Sequence, residues 1–480
     1  LQGQVDILSV ERDNAVADAG YDRFRIETKP AENLFRVPNR FDVRAKRLRL
    51  AVMLLHETIH YRFNRKIVLS RPCIYGVFGG RLGGFKPIKQ RCVGCMRCVQ
   101  EYPHIMQVDY SKEYRKIGDS YWTPEAVSTI LYEASTGKIP IKGMGFKGRF
   151  GGEGWDGMWT DMSEIVRPTR DGVFGREYIS TTVDVGRKPA FLDFSSGRAQ
   201  TETRRLVQSP LPICFTLPAG IANSTIEASI LSVSSSLRLF DLAERSPSNN
   251  RSYDFDVPVI KKEEDFERVN DARMVEIDFL EAENEGLVET VRQAENSTLL
   301  CARLALDDKV EEKACKLVQD GIDVLHLCAD YHGLDYSTSP THVSESLRRV
   351  HSRLVKEGMR DQTTILVSGG ITLAEHVPKA IICGADLVGL DTTLLVALQA
   401  EFRGEARKRS SPEIIAKTVD VDWGTQRITN LLGAWHDQLI EILSAMGMRD
   451  VRRLRGDVGR SMTDAELREQ AFKEIARAQQ

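Results

Sequence analysis

Beyond Pro210, short apolar runs alternate with longer stretches whose apolar residues recur at helical spacing. The runs Leu211–Leu217, Met274–Phe279, Ser297–Ala305, Val324–Ala329, Thr364–Ser368 and Asp386–Leu390 are predicted as buried strands. Helices are predicted over Ser224–Leu239, 283–294, 309–320, 342–357 and 373–382. Strands buried on both faces and separated by amphipathic helices indicate a parallel sheet, closed as a (β/α)8 barrel or open and doubly wound. No G-x-G-x-x-G follows the first strand, which removes the usual signature of a dinucleotide-binding sheet and favours the TIM-type barrel. Residues 243–270 are polar and charged, and the expectation there is an exposed excursion from the barrel.

The first 43 residues mix charged and apolar positions without a period. Arg44, Lys46, Arg47 and Arg49 then lead into Leu50–Leu55, the pattern of a basic amphipathic helix ending near residue 64. Such a helix lies on a membrane or a partner, or covers a neighbouring domain with its apolar face; packing is the expectation here. Thr123-Pro124 marks a helix start, with Thr123 as N-cap and proline at the first position. Gly143–Gly157 holds seven glycines with Lys147 and Arg149 among them, either an anion-binding loop or a connector. The expected organisation is an N-terminal extension (1–64), a metal-binding module (65–120), a glycine-rich connecting region (121–209), the barrel (210–402) and a helical C-terminal extension (403–480).

The metal-binding module rests on Cys92, Cys95 and Cys98, a C-x2-C-x2-C run with Pro103 after it. Ferredoxin-like segments hold an iron–sulfur cluster with this spacing. Tyr102 stands where the fourth cysteine of such runs precedes the proline, so a remote ligand is required. Cys73 is the candidate, joined to the triplet by a path rich in glycine. Four thiolates also suit zinc, although zinc motifs rarely place three cysteines in seven residues. A 4Fe–4S and a 3Fe–4S cluster both remain open.

The whole chain has 66 Lys and Arg against 68 Asp and Glu, and this near-balance shows no nucleic-acid footprint. Nine cysteines, most of them scattered singly in apolar stretches, suit a reducing compartment. No apolar run is long enough for a transmembrane segment and no signal-peptide pattern opens the sequence, so the expectation is cytoplasmic.

Ser368-Gly369-Gly370-Ile371 and Gly384–Thr392 are glycine-bearing turns one βα unit apart, the arrangement with which barrels hold a ligand phosphate. Together with Pro212–Phe215, Ile428–Gly433 and Met446–Gly456, they make residues 120–460 resemble the FMN-binding synthase domain of glutamate synthase, with a ferredoxin-like segment ahead of it. The resemblance implies a (β/α)8 barrel with FMN at its C-terminal mouth. It places Ser368, Gly369, Gly370, Gly389 and Thr392 at the flavin phosphate and Thr216, Leu217, Pro218 and Ala219 under the ring. Arg303 takes the place of a lysine facing flavin N1 and O2, and His332, in a reduced substrate loop, is a candidate proton donor. Leu239–Arg245 and the polar stretch after it replace the family's flavin- and 2-oxoglutarate-binding segment, and no amidotransferase domain precedes the barrel. The expectation is an iron–sulfur flavoprotein oxidoreductase acting on a small-molecule substrate. Its electron donor or acceptor would be a ferredoxin-like protein or reductase subunit, with a separate amidotransferase subunit, in an oligomer or larger complex. The alternative is a non-catalytic, electron-transfer or scaffold subunit.

Overall fold

A computed structural model describes residues 24–64, 67–68, 73–141, 152–160, 178–188, 206–217, 223–242, 254–261, 272–279, 298–405 and 414–463, with positions 265 and 288. The predicted helix 283–294 (save 288), the C-terminal helix beyond 463, much of the glycine-rich loop, and Pro218 and Ala219 lie outside these residues. The chain divides into two compact units. One comprises residues 33–128 and 139–150, the other residues 1–32, 129–138 and 151–480.

In the smaller unit, strands β1 (Phe41–Ala45) and β2 (Met106–Tyr110) pair antiparallel, Val43 opposite Val108. Between them run helix α1 (Arg47–His60) and the short helix α2 (Arg97–Glu101). Residues 33–64 of the segment expected as an N-terminal extension are therefore built into the same unit as the cysteines, while residues before 33 fall in the other unit. Helix α3 (Pro124–Thr136) starts as its sequence requires, the Thr123 hydroxyl accepting the Ala126 N–H at 3.3 Å.

In the larger unit, β3 (Met158–Thr160), β4 (Val183–Val185) and β5 (Val207–Ser209) lie outside the main sheet. The main sheet contains β6 (Ile213–Phe215), β7 (Val259–Ile260), β8 (Met274–Asp278), β9 (Leu299–Ala305), β10 (Val324–Cys328), β11 (Thr364–Ser368) and β12 (Leu387–Leu390). All are parallel, in the order β6-β12-β11-β10-β9-β8-β7. The ring closes through two single-residue parallel bridges, Phe215 to Asp241 and Asp241 to Asp256. Asp241 thus stands where a second strand belongs, and the sheet has the eight positions of a (β/α)8 barrel. This corrects one expectation. Residues 255–260 are not an exposed excursion but a buried barrel strand with its lead-in. The charged residues on either side leave only a short apolar run there.

Helices α4 (Ser224–Leu237), α5 (Val310–Gln319), α6 (Val343–Lys356), α7 (His376–Ile382) and α8 (Thr392–Ala397) follow their strands. The long helix α9 (Val421–Ala445) packs on α4, where Ser229 donates to the Val421 carbonyl at 3.1 Å and Gly424 leaves room for the Ser229 side chain. The expected C-terminal extension therefore begins as part of the barrel's outer layer.

Candidate functional site

The first site is the thiol cluster. Gly94 and Met96 take left-handed backbone conformations, φ 73° and 59°, which turn the chain back between Cys92 and Cys98. Cys73, Cys92 and Cys98 pack against an apolar core of Phe41, Val43, Val77 and Val108. With Cys95 they line one hollow. Burial first, then the neighbouring Cys92, Cys95 and Cys73, push the Cys98 thiol up to about 11. Cys92 is raised for the same reasons. Opposing this, the Gly94 N–H serves the Cys92 sulfur and the Val99 N–H the Cys98 sulfur, as donors to a thiolate would. Cys92 and Cys98 therefore resist becoming thiolates unless a cation compensates them. Among the described residues, no three of these sulfurs lie mutually within 4.8 Å. A zinc tetrahedron with Zn–S near 2.3 Å has edges of about 3.8 Å. Tyr102, in the place of the missing fourth cysteine, donates to Glu57 on α1 at 2.9 Å.

The second site is the C-terminal mouth of the barrel. Cross-strand register puts Asp278, Arg303, His326 and Leu366 in one row, and Cys328, Ser368, Gly389 and Cys214 in the next row toward the mouth. These rows hold a continuous buried network. Arg303 Nη2 lies 2.7 Å from Asp278, and its Nε lies 3.8 Å from Glu276. His326 Nδ1 is 2.6 Å from Glu276 Oε1, and its Nε2 is 2.8 Å from Ser368 Oγ. Ser368 in turn donates to Cys328 Sγ at 3.7 Å. Burial opposes a charged imidazole, but Cys328 and Glu276 outweigh it and hold the His326 pKa up at about 9. Sequence reasoning missed His326 and Glu276. Each reads as a polar interruption in an apolar strand, and only the barrel brings strands β8, β10 and β11 to one point.

The flavin-site candidates fit a phosphorylated ligand in part. Gly369 and Gly370 form a left-handed turn at the end of β11, with φ 102° and 71°. The hydroxyls of Thr216 and Thr392 are fully enclosed and have no partner inside the protein, so an outside acceptor or donor suits both. Other features oppose the fit. A Cβ on Gly389 would meet Thr216 and Ser368, so interior packing already accounts for that glycine. A Cβ on Gly369 would meet the Ala329 and Asp330 carbonyl oxygens at 2.8 and 2.5 Å, again the protein's own backbone. Asp391, 1 % exposed, accepts the Thr392 N–H at the start of α8. A carboxylate there opposes a phosphate and occupies a donor the phosphate would use.

The second glycine turn also divides in two. Gly384 and Asp386 lie at the opposite end of β12 from the mouth, locked by the buried Arg360. Its guanidinium donates to Asp386 and to the Gly384 carbonyl at 2.7 Å each, and to the Thr363 carbonyl at 2.8 Å. A Cβ at Gly384 would strike His351. Only Gly389–Thr392 reach the ligand end.

His332 sits in the tight loop after β10. Asp330 accepts the His332 and Leu334 N–H groups at 2.9 and 2.8 Å, and Glu405 lies 3.9 Å from His332 Nε2. Asp156, Glu375 and His376 also converge, but they form a tie rather than a metal site. His376 Nδ1 accepts the Thr372 N–H, so Nε2 carries the proton toward Asp156 at 3.1 Å, and the Lys379 ammonium lies 3.7 Å from Glu375.

Residues 285–449 match the family model described as the conserved region in glutamate synthase. The chain is 23% identical over 441 residues to an archaeal-type glutamate synthase (NADPH) of Dehalococcoides mccartyi, covering 77% of this chain and 86% of that protein. It is 24% identical over 471 residues to an archaeal glutamate synthase (NADPH) of Archaeoglobus fulgidus, covering 81% and 90%. A solved mandelate oxidase aligns over 62% of this chain and 97% of its own, with a TM-score of 0.35 and 13% identity. The chain is thus related to the glutamate synthases, and the stretch matching their conserved region takes in barrel strands β9 to β12, both phosphate-turn candidates and the long helix α9.

Proposed function

We propose that this chain is an iron–sulfur oxidoreductase of the glutamate synthase-like type. Cys73, Cys92, Cys95 and Cys98 would hold the cluster, and the barrel mouth would hold FMN. The observation that carries the reading is the gathering of four thiols from two chain segments around one apolar hollow. FMN, when bound, supplies the conversion between one- and two-electron chemistry on a small substrate. The phosphate falls to Ser368, Gly369, Gly370 and Thr392, and the ring to Thr216 and Leu217. Arg303 faces the flavin with a charge that Asp278 and Glu276 already balance in part. His332, beside Glu405, is the proton donor on the substrate side. A separate redox protein supplies or accepts the electrons.

The Asp391 carboxylate at the phosphate turn favours a second reading, an electron-transfer or scaffold subunit whose barrel holds no flavin. One measurement separates the two. Anaerobically purified protein is assayed for absorption, iron, acid-labile sulfide, zinc and FMN. The first reading expects a cluster spectrum with sulfide and bound FMN in equal amount to the chain. The second expects the cluster alone, and zinc without sulfide overturns both. Cys95→Ala is expected to remove the iron and sulfide while leaving flavin content unchanged.

A further inference from the structure

Helix α1 leaves its apolar face uncovered. Leu48, Val52, Leu55 and Ile59 recur at helical spacing, so at about 100° per residue they fall within a narrow stripe. They are 85, 69, 65 and 61 % exposed, and Phe63, just past the helix end, is 73 % exposed. The opposite face is the anchored one. Leu50 is buried beside Gly84, and Glu57 is held by Tyr102. The expectation that this helix packs its apolar stripe inward is therefore wrong, because the anchoring positions are those half a turn away.

Basic residues border the stripe. Arg47 and Arg49 stand on either side of Leu48, with Arg44, Lys46 and Arg62 near the ends, all of them exposed. Glu57, α1's only acidic residue, points to the anchored side and is bound there. The charge of the whole unit agrees. Residues 33–128 and 139–150 contain 21 Lys and Arg against 7 Asp and Glu, a formal +14, whereas the rest of the chain has 45 against 61, a formal −16. The near-neutral total conceals this division.

We propose that α1 docks the cluster-bearing unit on an anionic lipid surface. Its Leu-Val-Leu-Ile stripe enters the headgroup–acyl boundary, and Arg47, Arg49 and their neighbours meet the lipid phosphates. A second copy fits less well. Two such stripes face to face bring Arg47 and Arg49 of both copies together without a carboxylate on that face, and one helix of 14 residues gives less than the roughly 800 Å² per partner of a standard interface. An acidic protein partner would match the charge but leaves the contiguous apolar stripe unexplained.

The test uses the full-length protein and large vesicles. It is expected to sediment with vesicles containing about 30% phosphatidylglycerol, to bind pure phosphatidylcholine far less, and to release as salt rises. Arg47→Gln with Arg49→Gln is expected to weaken binding to the anionic vesicles about 30-fold, from about 1 kcal/mol of binding per arginine near the surface at roughly tenfold per 1.4 kcal/mol. Leu48→Ser with Leu55→Ser is expected to weaken binding at least about tenfold, with helical circular dichroism unchanged because neither side chain is packed. Three outcomes overturn the proposal: no vesicle binding by the wild type, a dimer that the Leu48→Ser/Leu55→Ser pair dissolves while vesicles go unbound, or retention on an acidic protein or nucleic acid with vesicles ignored.

Discussion

His326 is held from both sides, by Glu276 at Nδ1 and Ser368 at Nε2, and its pKa of about 9 keeps the ring charged near neutrality. Both ring N–H groups then donate, so the Ser368 hydroxyl must send its own proton elsewhere. In the structure it goes to Cys328, a weak acceptor from which a phosphate oxygen would readily take it. Because the folded pKa lies above that of a free histidine, its stabilising effect is complete below about pH 6.5 and is lost as pH rises through 9. Denaturant titrations across that range are expected to show this loss in the wild type and not in His326→Asn. Asp391 supplies the counter-pressure at the same mouth. Asp391→Gly frees the Thr392 N–H and removes the buried carboxyl group beside it, so it is expected to raise affinity for FMN at least about tenfold in a fluorescence titration. Unchanged affinity would show that the turn does not meet the phosphate. None of these partners is legible from neighbouring letters, since Glu276, His326 and Ser368 are far apart in sequence and adjacent only across the barrel.

At the scale of elements, the loop between β10 and α6 is organised by Asp335. Its carboxylate accepts from the Thr341 N–H and hydroxyl at 3.0 and 2.7 Å, from the Ser337 hydroxyl at 2.6 Å, and from Ser346 on α6. Burial opposes its charge, but these donors outweigh it and lower its pKa to about 2. A depressed carboxylate stabilises the fold above its unfolded pKa and loses that effect as pH falls, here between about 4 and 2. Asp335→Asn is expected to remove a contribution on the order of 2 kcal/mol above pH 4 and to flatten the acid limb of the stability curve. Helix α9 has a similar fixed point. Asn430 donates to the Lys29 and Ala134 carbonyls at 2.7 and 3.0 Å and accepts the Lys29 N–H at 3.0 Å, while Gly433 admits Thr28 against the helix. This explains Ile428–Gly433 in structural terms, as a seat for the N-terminal segment. Asn430→Ala is expected to cost about 2–3 kcal/mol in chemical denaturation, because two carbonyls and an amide lose their partners. The predicted strands, and the helices that fall on described residues, were readable because burial on both faces writes a continuous apolar run and a one-sided helix writes a period. The strand β7 was not, because its two residues are too short to carry a period.

At the scale of the molecule, two units of opposite charge share one chain, one built on a two-stranded sheet and four thiols, the other on a closed barrel. The sequence by itself determined the barrel class, the relation to glutamate synthase, the three clustered cysteines and the α3 cap, because each is written in local spacing or composition. Only the tertiary structure decided three other things. It brought Cys73 to the triplet, it set Glu276, Arg303, His326 and Ser368 into one buried network under the mouth, and it turned the apolar stripe of α1 outward. Each of these depends on which distant segments meet and which face an element presents. Periodicity shows that a helix has an apolar face, but only the packed fold decides whether anything covers it.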